Sequence, residues 1–176
     1  MFFKKRQQRR AIEKLRTVRV PEFVPFEGAK RVAFILEADE PGISEAVDAL
    51  VSLLRENKTV WRAVVIDAGK KNTADFSAYD NFDIIRKCDL NFYGLPKVGL
   101  NPWFTEETSD LLLDFSRDYN FTSEYIARQI NARLKAGRYS NGDESAYDFI
   151  SPPADTSAIS FLRQTIFFLN SIKPAN

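Results

Sequence analysis

Two nearly continuous apolar runs, KRVAFILEA at 30–38 and TVWRAVVIDAG at 59–69, bracket a single amphipathic segment. A run without polar alternation suits a strand covered on both faces, as in a parallel sheet. Pro41 and Gly42 break the first run, and Ile43, Val47, Leu50, Val51 and Leu54 then mark one helix face to about Asn57. Asp67 and Gly69 stop the second run. Strand, helix and strand in this order form a βαβ unit, whose crossover is right-handed in ~98% of cases.

The alternation continues beyond residue 69. The polar segment KKNTADFSAYDNFDIIRK has a short helical or irregular reading, and DLNFYGLP (89–96) reads as a strand stopped by Gly94 and Pro96. DLLLDFS (110–116) reads as the next strand. A helix over about 123–134 follows, with Ile126, Ile130 and Leu134 spaced by four. KAGRYS (135–140) and AYDFIS (146–151) read as two further short strands, and a terminal helix is expected over about 156–172. The expected architecture is a three-layer α/β domain, Rossmann-like or flavodoxin-like, with a mainly parallel sheet. Residues 25–176 would form this single domain. Residues 1–24 would be a basic helical arm and a connector broken by Pro21.

Charge separates those two parts. Residues 1–20 contain eight Lys/Arg and one Glu, whereas the remaining chain has 17 basic and 23 acidic residues. The chain contains no His, which removes His-based acid/base catalysis, Ser-His-Asp systems and the common zinc sites. Its one cysteine, Cys88, cannot form an internal disulfide, in keeping with a reducing, cytoplasmic setting. The sequence shows neither a secretory signal nor an apolar stretch of transmembrane length.

Ligands of parallel sheets bind outside the carboxyl ends of the strands. Glu37 and Asp39 follow the first run, Asp67 ends the second, and Asp114 with Ser116 ends the run at 110–116. Such carboxylates can ligate a hard cation or act as a general base on a sugar or phosphorylated metabolite. Asp and Ser are also common there because they cap helices and fix turns, and this structural role is the favoured expectation. Neither Gly-x-Gly-x-x-Gly nor a Gly-x4-Gly-Lys-Ser/Thr loop is present, so no nucleotide cofactor is expected, and no metal site. Lys135 and Arg138 beside Gly137 can meet an anion but read first as solvated charge. Thr122 or Ser123 is positioned to cap the following helix, with Glu124 in its first turn.

Two surfaces are candidates for partners. The basic arm 1–20 can contact an anionic surface, although packing against the chain's own acidic body is favoured, and no specific nucleic acid is expected. The helix at 156–172 is apolar around more than one face, which permits a homodimer or protein partner if it is not fully covered.

The succession LNFYGLPK (90–97), DLLLDFS (110–116), ARLKAGR (132–138) and YDFIS (147–151) resembles a family of short bacterial proteins of unknown function, of Bacteroidetes type. That resemblance implies a Rossmann-like domain and supplies no catalytic residues. A fainter likeness, at Asp114 and Gly137, is to one Rossmann half of the enzymes that add heptose to lipopolysaccharide. Those enzymes need two such halves. The leading expectation is therefore a non-enzymatic domain acting through a protein partner or self-association. The alternative is a small enzyme or ligand-binding domain using Asp114, Asp67 and Glu37.

Overall fold

The computed structural model describes residues 2–67, 74–138, 145–151 and 157–172. Six strands form one sheet: β1 (Arg31–Glu37), β2 (Val60–Asp67), β3 (Phe82–Arg86), β4 (Ser109–Asp114), β5 (Ala132–Gly137) and β6 (Phe149–Ile150). Their order is β3-β2-β1-β4-β5-β6 and every pairing is parallel. The helices are α1 (Phe2–Lys14), α2 (Ile43–Glu56), α3 (Pro102–Thr105), α4 (Phe121–Gln129) and α5 (Ala158–Ser171).

The apolar runs explain the sheet's centre. Val32 to Leu36 of β1 are fully buried, because alternate residues serve the two cores on opposite faces. Val32, Phe34 and Leu36 join Ala63, Val65, Leu111 and Leu113 under α2 and α5. Ala33 and Ile35 join Val64, Ile66 and Leu112 under α4. This period of two decides below which strand-end acids can meet. The Phe34 ring, stacked on Trp61 at 5.4 Å and edge-on to Phe115 at 6.4 Å, anchors the first core.

The arm is docked. Ile12 is buried, the Gln8 side chain donates to the Tyr93 carbonyl at 2.9 Å, and the connector is pinned to the start of β5. There Arg19 donates to the Ala132 and Arg133 carbonyls and pairs with Asp148, and the Glu22 N–H donates to the Arg133 carbonyl at 3.0 Å.

Four segments differ from the sequence expectation. The expected strand at 89–96 is a loop closed by one antiparallel bridge between Leu90 and Pro96, with Gly94 at φ 84° and Phe92 exposed. The third strand is instead β3, within the polar segment. An edge strand needs only partial burial, so Asp83 and Arg86 are tolerated in it. Helix α4 stops at Gln129 rather than near residue 134, and Leu134 belongs to β5, which begins three residues earlier than expected. The spacing of Ile126, Ile130 and Leu134 reflects a shared demand for burial in a helix, a turn and a strand, not one helix. The expected strand at 146–151 contracts to Phe149–Ile150. Residues 68–69, 139–140 and 156, at the edges of other expected elements, lie outside the described residues.

Candidate functional site

The strand order reverses between β1 and β4, the place where open α/β sheets open a crevice at their carboxyl ends. Glu37 ends β1 and Asp114 ends β4. Glu37 continues the parity of Ala33 and Ile35, and Asp114 that of Leu112, so both lie on the α4 side of the sheet. Asp67 continues the parity of Ala63 and Val65 and therefore shares the face of α2 and α5. The sheet brings Glu37 and Asp114 together. Asp67 does not converge with them.

Asp114 is almost fully buried and its carboxylate accepts three hydrogen bonds. One oxygen accepts from the Ser116 N–H at 2.8 Å, and the other from the Ser123 and Tyr147 hydroxyls. The Ser116 hydroxyl donates to Ser123 Oγ at 2.9 Å. Beside this cluster is a cavity of about 10 Å³, lined in part by Asp114, Ser123, Arg138 and Tyr147. That volume holds about one water. Burial, and then the Asp114 charge, push the Tyr147 phenol well above its ordinary pKa, so it stays protonated and donating.

Tyr147 reaches Asp114 by lying flat over β5. A Cβ at Gly137, the β5 partner of Asp114, would fall 2.8 Å from the Tyr147 ring carbons. Gly137→Ala must lift the ring and with it the hydroxyl. We expect a loss of about 1–3 kcal/mol, measured by urea unfolding with the m-value unchanged.

Local sequence sets α4 in register with this cluster. The Asn120 side chain caps the helix, accepting from the Thr122 and Ser123 N–H groups at 2.9 and 3.4 Å, so the cap lies two or three residues before the expected Thr122 or Ser123. The Thr122 hydroxyl instead donates to the Gly94 carbonyl at 2.8 Å, tying the 91–95 loop to the crevice. Glu124, expected as a favourable first-turn charge, is buried and paired with Arg128 at 2.8 Å.

Adjoining the small cavity through Asp118, Tyr119 and Asn120 lies an open crevice of about 470 Å³. Its charged walls are Glu37, Asp39, Glu40 and Asp118 against Lys4 and Arg117, with Gln8, Asn120 and Thr122 adding polar groups. Burial raises the Glu37 carboxyl above its ordinary pKa. The Asn120 hydrogen bond opposes that rise, and the Asp114 and Asp39 charges add to it.

The two cations expected as solvated charge are buried. Arg138 pairs with Glu40 at 3.0 Å, donates to the Phe115 carbonyl at 2.9 Å and lies 5.7 Å from the Phe161 ring centre. Lys135 points under α4 and donates to the Ala127 carbonyl at 2.6 Å. Its pKa is lowered to about 7, first by burial and then by the Arg19 charge. Cys88 is exposed and free. Among the described residues, no group of three or more acids and thiols is arranged to hold a metal ion, and no helix is long and apolar enough to cross a membrane.

Sequence reasoning missed Tyr147, Ser123 and Asn120. No sequence signal pointed to them, because the pairing of Asp114 with Gly137 that leaves room for the ring follows from the order and register of the strands.

A doubly wound parallel sheet with its polar cluster at the switch point is a Rossmann-type α/β domain. The chain belongs to a family of unknown function (DUF6913), whose sequence profile matches residues 1–172. No curated protein and no solved structure matches it.

Proposed function

We propose that this chain is a non-enzymatic binding domain, in which the switch-point crevice receives a cationic or hydroxyl-rich group of a ligand or protein partner. The observation that carries this reading is the enclosure of Asp114. Asp114, buried beside the crevice and not lining it, accepts three hydrogen bonds and has room beside it for about one water, so a substrate group cannot reach it. The open crevice supports the choice of ligand. Glu40 is paired with Arg138 and Asp118 with Arg117, so Glu37 and Asp39 face Lys4 there, and Asn120 already occupies the free amides of α4 that a phosphate would need.

Calorimetric titration of the full chain with spermidine, neutral sugars, nucleotides and sugar phosphates tests this. A polyamine or polyol should bind, and Glu37→Gln should weaken it at least tenfold, a difference of about 1.4 kcal/mol. Preferential binding of the phosphorylated ligands would overturn the charge argument.

One observation favours a second reading, a small enzyme acting on a sugar. Glu37, half-buried at the crevice wall with a raised pKa, has the property required of a general acid. That reading requires turnover in a metabolite screen that Glu37→Gln abolishes; the binding reading requires lost affinity with no reaction.

A further inference from the structure

Helix α1 buries one side only, and its opposite side is mainly basic and aromatic. With about 100° per residue, Phe2, Phe3, Arg6, Arg10 and Lys14 fall within an arc of about 120°, away from buried Ile12, and the one acid in that arc, Glu13, is paired with Arg9. Arg6, Arg10 and Lys14 have no carboxylate partner among the described residues, unlike Arg9, which pairs with Glu13 at 3.0 Å. Phe2 is 87% exposed and, on the neighbouring loop, Phe92 is 78% exposed. Tyr93 joins the two segments, with the Phe3 ring 6.2 Å and the Phe92 ring 5.5 Å away. Lys4 lies 5.8 Å from the Phe92 ring centre. Two separate parts of the chain thus present phenylalanines beside a row of unpaired cations.

We propose that this surface is a docking site for an anionic lipid bilayer, with the cations at the headgroups and Phe2, Phe3 and Phe92 inserted at the acyl boundary. Basic residues on an amphipathic helix with aromatic anchors bind membrane surfaces in this way. Single-stranded nucleic acid would also meet cations and rings, but it needs rings laid out as successive stacking platforms. Here the Phe3 and Phe92 rings are inclined to Tyr93 by 55° and 80°, and Lys4 lies against the Phe92 ring. Insertion into a bilayer demands no such alignment. The acidic remainder of the chain would repel a polyanion that wraps it, whereas a flat surface is met by the basic side alone. This docking does not depend on the crevice reading, because the residues it uses, Lys4 excepted, do not line that crevice.

The test is co-sedimentation of the full chain with phosphatidylcholine vesicles, with and without phosphatidylglycerol. A parallel titration follows a labelled single-stranded oligonucleotide. Binding should require phosphatidylglycerol. Each basic residue near an anionic surface contributes about fivefold in partitioning, so Arg6→Glu with Arg10→Glu should reduce binding by roughly a hundredfold or more. Phe2→Ala with Phe92→Ala, at sites too exposed to affect folding, should also reduce it, by about tenfold or more. Circular dichroism confirms that each variant is folded. Failure to sediment with the anionic vesicles overturns the proposal, as does binding that the phenylalanine pair leaves unchanged. Oligonucleotide binding as tight as vesicle binding assigns the surface to nucleic acid instead.

Discussion

Asp114→Ala should cost about 3–5 kcal/mol of folding stability, because it removes three hydrogen bonds to one carboxylate, each worth about 1.5–3 kcal/mol, of which a water can restore part. The substitution leaves the Ser116 N–H and the Ser123 and Tyr147 hydroxyls in a site with space for about one water. One water cannot accept from all three, so at least one donor stays buried and unsatisfied. Two milder variants bracket the effect. Tyr147→Phe removes one donor and leaves the carboxylate two, for an expected loss of about 1.5–3 kcal/mol, the usual worth of a hydrogen bond to a charged group. Asp114→Asn keeps a carbonyl acceptor but turns an amide toward hydroxyls that must then rotate, and should fall below the alanine variant in cost. Urea unfolding of the three proteins measures the series. An alanine variant as stable as the parent chain would remove the structural role of Asp114 and reopen it as a site of chemistry.

The burial of Asp114 at a strand end was legible in outline. The run LLL followed by Asp and Ser announces a buried strand with a polar end, and the lack of His beside it argues against a catalytic partner set. Its partners were not legible, because they come from a helix start and a post-strand loop whose approach depends on Gly137 and on sheet order. The same limit explains Asp67. In the sequence it is as good a strand-end acid as Glu37, but parity along each strand puts the two on opposite faces, and parity becomes informative only once the register of β1 against β2 is known. Long apolar runs identified β1, β2 and β4 because burial on both faces leaves no room for polar residues. β3 was hidden for the converse reason: at the edge, Asp83 pairs with Arg62 across the neighbouring strand, and two charges mask a five-residue strand. The aromatic run at 90–93 misled, since Phe92 serves a surface and not the sheet.

Lys135→Met should raise stability by about 1–3 kcal/mol near neutral pH, since an apolar side chain of similar length often improves on a buried charge. The Lys135 pKa falls from 10.5 to about 7 in the folded chain, first through burial, with the Arg19 and Arg128 charges lowering it further and Asp148 opposing them. A base whose pKa is lowered by folding binds its proton more tightly in the unfolded chain. Between pH 7 and 10.5 the unfolded state therefore holds more protons, and stability rises with pH across that window. Below pH 7 both states are protonated and the penalty is felt in full; above 10.5 neither is, and it vanishes. The gain from Met should follow the same course, largest at pH 6–7 and shrinking toward pH 10.5. Part of it is offset, because Nζ serves the Ala127 carbonyl, one of those that the last turn of α4 leaves without a helical partner. Thermal and urea unfolding of both proteins from pH 6 to 10.5 measure the difference. A Met variant less stable than the parent chain at pH 6–7 would mean that the helix-end hydrogen bond outweighs the cost of the buried charge, and that Lys135 holds α4 in place over the Asp114 cluster.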